Sequence, residues 1–244
     1  MHLNYLVLSQ LVWCHPEAPP YVATAWGTDV NDEVFARTPE HKARLSRLLA
    51  GAAAVTADSA PLLAKSSTRA AQPAELVLWS ADLSRWQRPL VDEVASARRQ
   101  QLGIAVGQRV LLSPRQIAAH YHPDLILRAF ARSRWAADGG VLLQKLHGKA
   151  GEAALQAGLT RLADELGVAD RYRFVPPCGY DELAGWYAVA DAGVSALAQD
   201  GVPSTFCELM ALGVPLVATD LPAYAGVLVD GERSLLVPPG DPEA

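Results

Sequence analysis

The spacing of hydrophobic and polar positions changes period many times along the chain, and that alternation predicts the architecture. Tyr21 to Thr24 reads as a strand, and Trp26 to Val30, with the sequence W-G-T-D-V, as the loop leaving its C-terminal end. Pro39 to Ala50 has helical spacing, with Leu45, Leu48 and Leu49 on one side. Ala52 to Ala57 is a small-residue strand, and Asp58-Ser59 can cap the helix that follows. Glu75 to Trp79 is another strand, and Ser80 to Pro89 has no periodicity, as a crossing between lobes would. Asp92 to Leu102 is a charged helix. A second series then begins: strand 110–113, helix 123–134, strand 141–146, helix 152–166, strand 172–175, helix 180–190 and strand 192–196. A short helix over 204–212 and a strand over 216–218 complete it. Strands alternating with helices of this length predict an α/β fold with parallel sheets covered on both faces.

Composition narrows the partners more than the fold. The 244 residues allow one large domain or two small ones, and half of them are hydrophobic. A net charge of −5 provides no basic field for nucleic acid, so no nucleic-acid partner is expected. Cys14, Cys178 and Cys207 are odd in number and far apart, which predicts neither a disulfide framework nor a zinc site and fits a reducing cytoplasm. Residues 1–13 are apolar but lack a basic leader and a sustained hydrophobic run, so no signal peptide is expected. No stretch approaches the ~20 apolar residues of a spanning helix. A cytoplasmic protein is expected, with peripheral docking on a membrane left open.

The densest chemistry lies between Asp200 and Ala218. Two acids, Asp200 on a loop and Glu208 on a helix, flank a Pro-Ser helix start whose free amides suit a phosphate. Ser204 is a good N-cap, Gly213 sits where a left-handed C-cap belongs, and Pro215 prevents continuation. Arg115 follows a predicted strand at its C-terminal end, where α/β sheets bind ligands, and its guanidinium can clamp a diphosphate. His120-x-His122 lacks a third clustered ligand, so no metal is expected. His147-Gly148-Lys149 is not a P-loop, because Leu143 and Ala150 occupy the positions of the first Gly and the Ser/Thr. Neither a G-x-S-x-G elbow nor a G-x-G-x-x-G fingerprint is present, which argues against a serine hydrolase and a dehydrogenase.

The segment D-G-V-P-S-T-F-C-E followed by L-M-A-L-G-V-P-L-V-A-T-D resembles the donor-site signature of retaining GT-B glycosyltransferases of the family 4 type, E-x7-E then A-M-A-x-G-x-P-V-V-A. Four further stretches resemble that family in the right order: A-T-A-W-G-T-D-V, W-S-A-D-L-S-R-W-Q-R-P, the 111–131 segment containing Arg115, and the 165–196 segment. The resemblance implies a GT-B fold of two Rossmann-like parallel-sheet lobes, the N-terminal one incomplete. Residues 1–80 would be a partial acceptor-side lobe, 81–107 the crossing and its helix, and 108–244 the nucleotide-sugar lobe. It also implies that the sequence starts after the family's first strand and Gly-rich loop. At the other end, Asp241 and Pro242 would start a helix that the sequence does not continue.

In functional terms the resemblance implies retaining transfer of a sugar from a nucleotide-diphosphate sugar to a sugar, lipid-linked or small-molecule acceptor, with no cofactor and no obligate metal. Glu208 would hold the ribose, Asp200 would orient the sugar, and Arg115 with the amides of Ser204, Thr205 and Phe206 would take the diphosphate. Asp200 stands where the family has Glu. The family's second cation is absent near Ala119-His120-Tyr121, so Tyr121 would donate to phosphate instead. Pro176 lies where the base is held, and Trp26, Gly27 and Asp29 belong to the acceptor or sugar side. The alternatives are a non-catalytic GT-B remnant that at most binds nucleotide, and a GT-B sugar epimerase or phosphorylase.

Overall fold

Proline occupies the first turn of four α-helices, at Pro39, Pro61, Pro89 and Pro123, and a left-handed glycine follows four, at Gly103, Gly139, Gly167 and Gly213, so local signals set many of the helix bounds. The computed structural model describes residues 1–27, 29–31, 38–70, 73–232, 234–241 and 243. Thr28 of the W-G-T-D-V loop and the expected helix start at Pro242 lie outside the described residues. The chain divides into two compact units. The first holds residues 1–79 with 199–203 and 221–227, and the second holds 80–198, 204–220 and 228–244.

The first unit contains β1 (His2–Asn4), β2 (Val22–Ala25), α1 (Pro39–Ala50), β3 (Ala54–Ala57), α2 (Ala60–Ser67) and β4 (Ala74–Leu76). Its four strands are parallel and lie in sequence order. The helix α1 has the bounds the sequence predicts. Thr38 caps it through the amide of His41, Pro39 occupies the first turn, and Leu45, Leu48 and Leu49 are the buried face. They pack with Leu3, Leu6, Tyr21, Val55 and Leu62 into one core. The strand β1 was not expected. Its three residues alternate exposed, buried, exposed, too short a run to register as a period. The strand β4 stops at Leu76, and Val77 and Leu78 are exposed.

The second unit contains α3 (Arg88–Gln101), β5 (Val110–Ser113), α4 (Pro123–Arg132), α5 (Arg134–Ala137), β6 (Val141–Lys145), α6 (Glu152–Glu165), β7 (Tyr172–Val175), α7 (Tyr180–Tyr187), β8 (Ala192–Ser195), α8 (Ser204–Ala211), β9 (Leu216–Thr219) and β10 (Ser234–Val237). Its six parallel strands run β10-β9-β8-β5-β6-β7. All five residues of β6 are buried, as expected of an inner parallel strand.

Several boundaries differ from the sequence reading for local reasons. The helix α3 starts at Arg88 rather than Asp92, because Pro89 is favoured in a first turn. The expected 123–134 helix breaks at Ser133, whose hydroxyl donates to the Phe130 carbonyl and accepts from the Ala136 amide, starting α5. The strand β10 was missed, being an edge strand with a single fully buried residue. At the end of α8, Gly213 has φ +68°, and the amides of Gly213 and Val214 bond the carbonyls of Met210 and Leu209. That is the αL termination the sequence predicts.

Candidate functional site

Strand order reverses between β5 and β8, and in open α/β sheets the crevice beyond the carboxyl ends at that point receives ligands. Arg115 lies just past β5. Its carbonyl accepts from Nε2 of Gln144, a buried residue of β6, at 2.8 Å, so the neighbouring strand fixes its backbone. Its guanidinium lies over the Tyr121 ring, 4.6 Å from the centroid. Tyr121 therefore contributes its ring face to orienting Arg115, a role the sequence did not suggest. Burial first, then the charges of Arg115 and His122, lowers the pKa of His120. His120 thus supplies no second cation at neutral pH.

The helix α8 begins at Ser204 itself, so Ser204 lies in the first turn instead of capping it. The first-turn amides of an α-helix have no partner within the helix, so the start of α8, at Ser204 and Thr205, is suited to an anion. Phe206 buries its side chain, and Ser204 is exposed. The Thr205 hydroxyl is buried without a hydrogen-bond partner among the described residues. One turn on, Glu208 is only 5% exposed. Burial raises its carboxyl pKa to about 7, and the facing Arg115 partly offsets the shift. In the fully buried Tyr187, burial and then the charge of the same carboxylate raise the pKa. Arg115 and Glu208 are thus coupled across the switch point within one unit.

Two features of this unit were not legible in the sequence. Lys145, 2% exposed at the end of β6, gives its ammonium to the carbonyls of Leu146 and, at 3.1 Å, Pro176. Pro176 itself is exposed, and its turn is held from below by a buried cation. In the His147-Gly148 turn, the amides donate to the Glu152 carboxylate at 2.7–3.0 Å. An internal acid therefore occupies the place a phosphate would take, and this turn is a structural loop. Burial, with Lys145 next, pushes His147 down to about 4.

In the first unit Trp26 is 42% exposed and packs edge-on against Trp79 (4.9 Å) and Tyr5 (6.2 Å). Asp29, by contrast, is buried and faces inward. Its Oδ1 accepts from the amides of Trp26 and Gly27, and its Oδ2 from Leu6, all at 2.9 Å. Burial raises its pKa while those amides oppose the rise. Asp29 thus ties the end of β1 to the loop after β2. In Asp29→Asn one donor must face another, so a loss of about 1–3 kcal/mol is expected, read as a lower urea midpoint. Asp200 belongs to this unit and accepts from the Gly201 amide at 3.0 Å. Gly27, at φ +124°, lies against this turn: a Cβ there would come 3.0 Å from the Gly201 nitrogen.

Among the described residues no group of three His, Cys, Asp or Glu is placed to hold a metal, and no helix is long and apolar enough to cross a membrane.

Comparison with known proteins agrees with this geometry. Residues 110–244 match the family described as glycosyl transferases group 1. The chain is 32% identical to a D-inositol 3-phosphate glycosyltransferase of Thermomonospora curvata, over 99% of this chain and 60% of that protein. A D-inositol 3-phosphate glycosyltransferase of Geodermatophilus obscurus is 34% identical over 60% of the chain and 34% of its own length. Among solved structures, sucrose-phosphate synthase from Thermosynechococcus elongatus superposes with a TM-score of 0.82 at 21% identity, over 100% of this chain and 61% of that one. Anabaena HepE in complex with UDP-glucose gives 0.75 at 18%, over 92% and 60%. At such identities the likeness carries the fold, the GT-B arrangement of parallel-sheet α/β units. The chain spans about 60% of the length of the Thermomonospora relative.

Proposed function

The chain belongs to the group 1 glycosyl transferases, and from that premise we propose that it transfers a sugar from a nucleotide-diphosphate sugar to an acceptor hydroxyl with retention. The observation that carries the proposal is Glu208: a buried carboxyl whose pKa is raised to about 7, facing Arg115, one turn into the helix that starts at Ser204. In this reading the carboxylate accepts both ribose hydroxyls. The amides of Ser204, Thr205 and Phe206, the Thr205 hydroxyl and the Arg115 guanidinium take the diphosphate. As the bond from the anomeric carbon to the diphosphate oxygen breaks, negative charge collects on the leaving nucleotide; the acceptor oxygen bonds the anomeric carbon and its proton passes to the leaving diphosphate oxygen. Arg115 and the helix terminus are aimed at that charge, so the step requires no obligate metal. Asp200 orients the sugar, backbone groups around Pro176 hold the base, and exposed Trp26 offers a ring face to the acceptor or sugar.

The relatives' names make UDP-glucose the first donor and D-inositol 3-phosphate the first acceptor to try. The test is calorimetric titration with UDP, GDP and ADP. Binding of one of them is expected; a folded chain that binds none would overturn the proposal. Arg115→Lys is expected to weaken the bound diphosphate about tenfold, because an ammonium replaces a bidentate fork that also stacks on Tyr121. The same titration reads it.

A further inference from the structure

Gly201 has a constraint that no neighbour in sequence explains. A Cβ on it would lie 2.3 and 2.4 Å from the two carboxylate oxygens of Asp58, an overlap that would force that carboxylate out of its place. Asp58 follows β3 and is 2% exposed. Its Oδ2 accepts from the Trp79 indole at 2.9 Å, and the Val202 amide also bonds this carboxyl. Among the described residues its Oδ1 is buried with no hydrogen-bond partner. A carboxylate left half-satisfied in the interior is costly and calls for a compensating role. On the opposite side of the turn stands Gly27, held by Asp29. The backbone from Asp200 to Val202 is thus gripped between a glycine shelf and a buried acid.

We propose that Asp58 is a positioning residue for Asp200, seating the Asp200–Val202 turn by holding the Val202 amide and closing against the Cα of Gly201. This rests on the reading of Asp200 as the group that orients the transferred sugar. Asp58 touches no substrate; it sets where the Asp200 carboxylate points. Burial, with Trp79 and Val202 opposing it and the nearby Asp200 charge adding to it, brings the Asp58 pKa to about 6. The geometry also assigns the W-G-T-D-V loop a share in the same task. A side chain at Gly27 would be strained at φ +124° and would crowd the Gly201 nitrogen, and the Gly27 amide is held by Asp29.

The test is a binding split on the intact protein. Calorimetry would compare the best-bound of UDP, GDP and ADP with its glucose conjugate in wild type, Asp58→Ala, Asp58→Asn and Glu208→Ala. Asp58→Ala should leave the free diphosphate within about twofold and weaken the sugar conjugate about tenfold. Asp58→Asn retains an acceptor oxygen and should recover most of that loss. A structural defect alone would weaken both ligands together, and that result overturns the proposal. So does an unchanged sugar conjugate in Asp58→Ala while Glu208→Ala weakens both. If Glu208→Ala changes neither, the donor-site reading fails and takes this proposal with it.

Discussion

Glu208→Ala is expected to weaken nucleoside diphosphate binding about 100-fold, because in the proposed donor site it removes a buried acceptor from two ribose hydroxyls, and it takes away the charge facing Arg115. Hydrogen bonds to a charged group are worth ~1.5–3 kcal/mol each, and 2.7 kcal/mol is roughly that factor. The raised carboxyl gives the effect a pH signature. A ribose hydroxyl donates to the ionised form, so wild-type affinity should rise with pH up to about 7 and then level off. In Glu208→Gln the profile should be flat over that range. Stability should move the opposite way. The folded chain holds this proton more tightly than the unfolded one, so ionising it costs free energy. The contribution is complete at low pH and is lost as pH climbs from the unfolded carboxyl's range to about 7. The loss is on the order of 3 kcal/mol, and Glu208→Gln should abolish it. Urea unfolding at several pH values, paired with titrations at the same values, separates the two trends. Affinity that does not change with pH would exclude Glu208 from ligand contact.

What could be read in advance follows from the range over which each signal acts. The bounds of α1 and the end of α8 depend on neighbours in sequence, Thr38 and Pro39 in one case and Gly213 in the other. Both were legible. Val141, Leu142 and Leu143 are apolar and buried, so their hydrophobicity marked β6, though not the burial of Gln144 and Lys145 that follow. The edges β1 and β10 were not legible, because three or four residues with mixed exposure carry no period. The same division applies to the site. Arg115 and Glu208 sit on local motifs, a strand end and a capped helix, and the fold brings them into electrostatic contact. Gln144, Lys145 and Asp58 act through space on Arg115, Pro176 and the Asp200 turn, at separations in sequence of 29, 31 and over 140 residues. No spacing rule reaches that far. Asp29 shows the converse. Its motif was visible, but only the structure shows that both of its oxygens are spent on backbone amides.

Trp86→Ala should destabilise the second unit by about 3–5 kcal/mol. The side chain is 1% exposed, its indole donates to the Tyr180 hydroxyl at 3.1 Å, and its ring lies 5.5 Å from that of Tyr187. Truncation would leave a cavity the size of an indole between the segment before α3 and the face of α7. For a unit of this size the thermal midpoint should fall by roughly 10 °C, and circular dichroism melting reads it directly. Trp86→Phe keeps most of the volume and loses the hydrogen bond, so it should cost about 1–2 kcal/mol. The consequence extends to the site, because Tyr187 packs on Trp86 and interacts electrostatically with Glu208. With its support removed, Tyr187 can shift and admit water beside the carboxylate, and the desolvation that raises Glu208 weakens. The pH midpoint of diphosphate binding should then move downward from about 7, even under conditions where Trp86→Ala remains folded. A variant that melts early yet keeps the wild-type pH midpoint would show that burial of Glu208 does not depend on the tryptophan behind it.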